Sequence, residues 1–375
     1  YIQLEPRKAR GHKPGDPPPL QMTRADSENL LRAKRADYQV MMTGGNTAIE
    51  PQRPGLDPFS IDARYTSADF FPMFDVSFAS GRGWSSDDDD KHVRVAVLAK
   101  PLAEKLFGTT DAVGKTVRVA GTEFRITGVI GDWRPTPHYY DLTQGSYGKP
   151  EQLFVPFSTS RDLKLDRSGN MNCWDDNTDN EAVGAPCEWI QFWVELDSSA
   201  KVAAYRDYLV SYSMEQKRAG VFELDPDVRM YTVMEWLANQ KVVPNDVRLQ
   251  TWIALGFFLV CLINTVGLLL TKFMRRSSDI GVRRALGASK QSIFVQLLVE
   301  AGMIGLVGGL AGLGLAALGL WAVRHQPADY AELAKLDLPM LGATFALAVV
   351  ASLLAGLLPA WRGCQVTPAI QLKSH

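Results

Sequence analysis

Up to about residue 248, apolar and polar positions alternate in short runs. Beyond it the apolar runs lengthen and charges nearly vanish. VRVAVLA (93–99), KTVRVAG (115–121), EFRITGVI (123–130) and WIQFWVEL (189–196) predict strands, and Gly-containing turns separate them. Helices are predicted from Arg24 to Lys34, from Pro101 to Leu106 and from Ala200 to Lys217. In the last of these Val202, Tyr205, Leu209 and Tyr212 fall at helical spacing. The pattern predicts an α+β domain of two lobes over 1–248.

Crossing a bilayer takes roughly 20 predominantly apolar residues as helix, and Trp252–Thr271, Ile293–Val323 and Met340–Trp361 each qualify. Residues 249–375 therefore predict an all-α transmembrane bundle of three visible helices. Ile293–Val323 would measure about 46 Å as helix against a core of roughly 30 Å, so it must tilt or project. The second helix of the full topology is expected to continue outward as a stalk through MEWLANQKVVPNDVRLQTW, with a kink or break at Pro244.

Charge orients the bundle. Lys272, Arg275, Arg276, Arg283, Arg284 and Lys290 face only Asp279, and Arg362 and Lys373 follow the last run. Between the second and third runs Asp329, Glu332 and Asp337 outweigh Arg324 and Lys335. The positive-inside rule places 272–292 and the C-terminal tail in the cytoplasm, with Trp252 and Trp321 at the outer interface and Trp361 at the inner one. The large domain is then extracytoplasmic. Its export implies a further span upstream of YIQLEPRKARGHKPGDPPPL, which has neither an initiator Met nor an apolar leader. A net charge of −1 excludes little, because it averages two unlike halves.

Candidate chemistry thins out on inspection. FGTTDAVGKT resembles a phosphate-binding loop, but Thr109 stands where the first glycine must be, and strand rather than helix follows Lys115. Asp175, Asn177, Asp179 and Glu181 alternate as calcium ligands do, yet Asn180 and Pro186 occupy the positions of the required Gly and bidentate Glu. DDDDK (87–91) reads as an exposed charged turn. His12, His92, His138, His325 and His375 lack metal-ligand spacing, and no nucleophile setting is recognisable, so no catalytic residue, metal or cofactor is assigned to this chain. Cys173 and Cys187 could pair in an exported domain, closing a loop worth about 3 kcal/mol. Cys261 falls inside a span and Cys364 in the cytoplasm.

The membrane half carries more. Gly305 with Gly309, and Gly308 with Gly312, form overlapping G-x-x-x-G pairs that let helices approach closely. Asn264 and Glu300 are polar groups within spans, and pairing of Glu300 with the basic loop is expected. In RRSSDIGVRRALGASKQS (275–292), Ser278 suits an N-cap, Ile280–Leu286 a short helix ended by Gly287, and Ser289 the cap of the next helix. Arg283 and Arg284 would flank an apolar patch of Ile280, Val282 and Leu286. Spacing alone leaves two readings level: an anchor on anionic lipid heads, and a protein-docking helix.

DIGVRRALGASKQSIFVQLLVEAGMIGLVGGLAGLGL resembles the hallmark segment of the MacB-like and FtsX-like permeases, the mechanotransmitting ABC transporters. AVLAKPLAEKLFG and DAVGKTVRVAGTEFRITGVIGD resemble their exported core domain, and LLPAWRGCQVTPAIQLK their closing pattern. The resemblance runs from about Phe59 to the end and agrees with a missing first span. It implies that a cytoplasmic coupling helix over 279–287, carrying Asp279, Ile280, Arg283, Arg284, Leu286 and Gly287, docks on an ATP-binding subunit or domain that holds ATP and Mg. It implies in turn a second permease protomer, a periplasmic adaptor, lipid contact and a bacterial inner-membrane location, with no nucleic acid. Trp133–Gly184 departs from the family pattern. An FtsX-type signalling permease that activates exported hydrolases and a membrane-anchored exported enzyme are the alternatives to an export permease.

Overall fold

The computed structural model describes residues 1–6, 17–175, 179–242, 245–325 and 337–365. Within the opening segment His12, in the acidic loop Asn177, at the expected kink Pro244, and in the later charged loop and tail Asp329, Glu332, Lys335, Lys373 and His375 lie outside the described residues. The chain divides into two compact units, Tyr1–Val242 and Val243–His375.

In chain order the first unit contains β1 (Ile2–Gln3), β2 (Met22–Thr23), α1 (Arg24–Ala33), β3 (Tyr38–Glu50), β4 (Phe59–Thr66), α2 (Phe70–Met73), β5 (Phe78–Gly81) and α3 (Ser86–Asp90). There follow β6 (Val95–Ala99), α4 (Lys100–Phe107), β7 (Thr116–Val119), β8 (Thr122–Ile130), β9 (Leu153–Pro156), α5 (Phe157–Asp162), β10 (Arg167–Ser168) and β11 (Asn172–Cys173). β12 (Cys187–Glu195), α6 (Ser199–Arg218), β13 (Arg229–Met230) and α7 (Val233–Asn239) close it. The second unit is helical: α8 (Asn245–Arg275), α9 (Ser277–Ala285), α10 (Lys290–Arg324) and α11 (Leu338–Cys364). α7 and α8 are separate helices. Three helices are long and apolar enough to cross a membrane: Leu249–Arg275, Lys290–Arg324 and Leu338–Cys364.

One mixed sheet organises the first unit, in the order β11-β12-β3-β4-β9-β6-β8-β5. β4 with β9 and β6 with β8 run parallel, and the other neighbours in that order are antiparallel. Side chains alternate across a strand, so the sheet feeds two apolar clusters, one on each face. Met41, Ala96, Leu98, Val155 and Phe192 enter one cluster. Val40, Met42, Val95, Val97, Phe154 and Trp193 enter the other. The two expected lobes thus share one sheet. β3 passes its neighbours closely at Gly45, where an added Cβ would lie 2.3 Å from the Tyr65 ring.

Part of Trp133–Gly184 is core. Trp133 and Tyr140 stack with ring centroids 5.6 Å apart, and Tyr140 packs edge-on to Phe70. Arg64, on β4, is fully buried and bonds the Asp141 carboxylate at 2.6 Å and the Glu151 carboxylate through Nε at 2.8 Å. The Tyr140 hydroxyl donates to Glu151 at 2.6 Å. Burial opposes ionisation of Glu151, but the Arg64 charge and then His138 win and hold its carboxyl well below the usual range. A buried guanidinium needs such partners, because an isolated ion out of water is prohibitively costly.

The aspartate run is not simply an exposed turn. Ser85 and Asp88 form a capping box that starts α3, and the helical turn carries Asp89 inward. Its carboxylate accepts the Ala68 N–H at 2.6 Å and the Trp84 indole N–H at 2.8 Å. Burial outweighs these bonds and pushes its carboxyl up to about 7. Cys173 and Cys187 face each other across β11 and β12 and are bonded. Glu181, within the loop they close, pairs with Arg161 and lies 3.6 Å from Arg167 Nε, so that candidate calcium ligand faces guanidiniums instead. Gly114 holds a left-handed φ of 82° in the turn before β7, and the strand that follows removes the helix that a phosphate loop requires.

Two outcomes follow. Arg64→Ala takes the guanidinium from two buried carboxylates, leaving Glu151 only His138 and the Tyr140 hydroxyl, and should destabilise the first unit by about 3–5 kcal/mol, read by urea unfolding followed through tryptophan emission. Asp89 binds its proton more tightly folded than unfolded, so its contribution is full below the ordinary carboxylate range and is lost as pH rises toward 7. Asp89→Asn should flatten that part of the stability–pH curve.

Candidate functional site at a strapped surface helix

The three long helices of the second unit meet at one end. The buried residues of α10 are Ile293, Leu297, Ala301 and Gly305, four apart along a single ridge. Those of α11 lie between Ala351 and Cys364, and α8 adds Leu269 and Phe273. Together with Ile280 they form an apolar cluster at the end where α9 lies. Between α10 and α11 a Cβ on Gly305 would fall 2.5 Å from Ser352 Cβ, and one on Gly356 2.5 Å from Ala301 Cβ. Ser352 Oγ also donates to the Ala301 carbonyl at 2.5 Å. Gly309 packs on the Phe345 ring, but Gly308 and Gly312 have nothing within 4 Å. Of the two overlapping glycine pairs, Gly305 and Gly309 pack within this chain; the other faces outward, because the pairs are rotated by about 60° about the axis.

α9 follows α8 after a single residue. Arg276 holds its cap position without a side-chain cap, so the expected cap at Ser278 is unused; Ser278 is already within the helix. Asp279 sits in the first turn and Arg283 and Arg284 in the last, where each charge favours the helix dipole. Gly287, at φ 104°, donates to the Arg284 carbonyl at 3.1 Å, and Ala288 donates to that of Arg283 at 3.0 Å. This is the left-handed closure that glycine allows. Ser289 caps α10, accepting the Ser292 N–H at 3.1 Å.

The two faces of α9 differ. Ile280 is only 6% exposed, wedged in the apolar cluster, and does not join Val282 and Leu286 in a surface patch as expected. The Arg284 guanidinium turns inward as well, donating to the Cys364 carbonyl at the end of α11 at 3.3 Å. Arg283 donates to Gln296 of α10 at 3.1 Å. Glu300 of α10 receives Lys272 at 2.5 Å and Arg276 at 3.3 Å. α9 and its entry are therefore strapped to all three long helices. The opposite stripe is open: Asp279, Val282 and Arg283 are exposed, and Leu286 is 84% exposed. Positions 279, 282, 283 and 286 fall on one helical face. Gln296 and the Cys364 carbonyl carried no signal in the sequence, since one is an ordinary surface amide and the other a backbone group 80 residues away.

Residues 2–212 match the model for a MacB-like periplasmic core domain, and residues 252–368 that for an FtsX-like permease C-terminal region. Among curated proteins, the pyoverdine export ATP-binding/permease protein PvdT of Pseudomonas aeruginosa is 22% identical over 97% of this chain and 50% of its own length. The macrolide export ATP-binding/permease protein MacB of Azoarcus sp. is 25% identical over 79% of this chain and 40% of its own. The chain thus spans half or less of these relatives. Among solved structures, the periplasmic region of MacB from Actinobacillus actinomycetemcomitans is 16% identical and covers 65% of this chain and 91% of its own, with a TM-score of 0.38.

The packing separates two glycines of one motif. Gly305→Leu should lower the detergent-phase melting temperature of the helical unit by several degrees, whereas Gly312→Leu, measured on this chain alone, should leave it unchanged.

Proposed function

Because the chain belongs to the family that joins a MacB-like periplasmic core domain to an FtsX-like permease region, we propose that it is the permease part of an ABC transporter that drives export. In this reading the first unit is extracytoplasmic, α8, α10 and α11 cross the bacterial inner membrane, and α9 lies at the cytoplasmic face. An ATP-binding unit, in a separate chain or upstream in the same one, supplies the ATP and Mg²⁺ chemistry. α9 is the coupling helix: closure of the ATP-binding units pushes it, and the spans carry that displacement to the domain outside. A second permease copy completes the transporter, with surrounding lipid and a periplasmic adaptor as further partners. The names of the relatives, both export ATP-binding/permease proteins, support export of a small molecule, peptide or lipid-linked substrate.

The observation that carries this reading is the division of α9. A lipid anchor would present its cations outward together, as charge attraction to headgroups requires. Here Arg284 is spent on a carbonyl of α11, and the outward stripe mixes Asp279, Val282, Arg283 and Leu286. An acid, a base and two apolar side chains within about two turns suit a protein groove better than an anionic surface.

Docking has a direct reading by hydrogen exchange. Amides of 277–287 should exchange roughly tenfold more slowly in the complete assembly than in this chain alone. Arg283→Glu combined with Leu286→Glu should remove that protection while leaving membrane insertion intact; equal exchange in the two wild-type samples would overturn the docking role.

A further inference from the structure

α10 contains one acidic residue, Glu300, about three turns beyond its start. A carboxylate at that depth in an apolar helix is expensive unless it is paired. Its Oε1 atom receives Lys272 Nζ at 2.5 Å and Arg276 Nη1 at 3.3 Å, two cations one turn apart at the corner where α8 passes into α9. Among the described residues neither cation pairs with any other carboxylate.

The apolar packing of the bundle is separate from this triad. Phe273, Ile280, Ile293 and Leu297 close the apolar cluster without it, and Ser352, Ala301, Gly305 and Gly356 hold α10 to α11. What the triad adds is a charged link between the α8–α9 corner and α10. The other polar tie from α9 to α10, Arg283 to Gln296, has a neutral acceptor and an exposed donor. Charge-assisted bonds are shorter and about twice as strong as neutral ones, and they strengthen further as the local dielectric falls.

We propose that Glu300 is a positioning residue for transmission: it binds the corner to α10, so that a displacement of α9 is delivered to α10 as well as to α8. The proposal rests on the coupling role of α9, and its failure is separable from failure of that role. Docking is a matter of the outward stripe, whereas Glu300 lies on the strapped side. Loss of Glu300 uncouples the parts without undocking them.

The test uses the complete assembly in lipid nanodiscs, with hydrogen exchange read at 277–287 and across 1–242, with and without ATP plus vanadate. In the wild type, nucleotide is expected to alter exchange in 1–242. Glu300→Gln should reduce that change at least roughly fivefold while the protection of 277–287 persists. Glu300→Lys with Lys272→Glu keeps two cations around one carboxylate and should restore the response; Glu300→Lys alone should not. A nucleotide response of full size in Glu300→Gln overturns the proposal. So does loss of protection at 277–287 in that variant, which would make Glu300 a docking or folding residue. Absence of that protection in the wild type would instead remove the coupling-helix reading itself.

Discussion

A helix of nine residues cannot hold itself together in water, because its few hydrogen bonds barely offset the cost of starting it. α9 is therefore made by its surroundings. Ile280 anchors it in the apolar cluster, Arg284 and Arg283 reach α11 and α10, and Arg276 reaches Glu300 at its entry. The contacts that allow the helix to exist are also the ones that tie it to the three long helices. Arg283 belongs both to these ties and to the outward stripe, in which Asp279, Val282 and Leu286 are also exposed.

The first unit obeys a comparable constraint. Burying Arg64 at the middle of the sheet would be ruinous without carboxylates, and both come from the stretch after Trp133. The network thereby fixes a segment that has little regular structure of its own. Tyr140 is the hinge of the arrangement, donating to Glu151, accepting the Trp193 indole N–H on its carbonyl at 2.9 Å, and packing among Phe70, Phe74 and Trp133. A segment tied into both charge and aromatic packing moves with the sheet rather than against it.

These two halves differ in how far they could be read beforehand. Strand alternation and apolar run length are local properties, so β6, β7, β8 and β12 and the long helices were legible from spacing alone. The Ser289 cap was legible for the same reason. Ser278 was not, since α8 runs to Arg275 and α9 already begins at Ser277, which leaves no room for a cap at 278. Ile280 and Val282 look equivalent in the sequence, and only the direction from which the bundle approaches decides that one is a wedge and the other a surface. Gly305 and Gly308 likewise share a motif and face different ways. Asp89 is one of four aspartates in a row, and its selection depends on Trp84 and Ala68 being positioned around it. The partners of Arg64 lie 77 and 87 residues away, a separation at which no spacing rule operates.

The distribution of contacts in the helical unit bears on how it can work. α10 is about 52 Å long, and its buried ridge occupies only the first half, from Ile293 to Gly305. Among the described residues Gly312, Gly314 and Gly319 of α10 have nothing within 4 Å of an added Cβ, whereas around Ile280 four helices are locked by a wedge, a charge triad and close backbone approach. A body that is stiff at one end and unpacked at the other does not dissipate a push where it arrives. Side chains packed to crystal-like density move together, so a displacement applied to α9 becomes a displacement of the near ends of all three long helices. Stiffness at the α9 end is what the proposed coupling role of so short a helix requires.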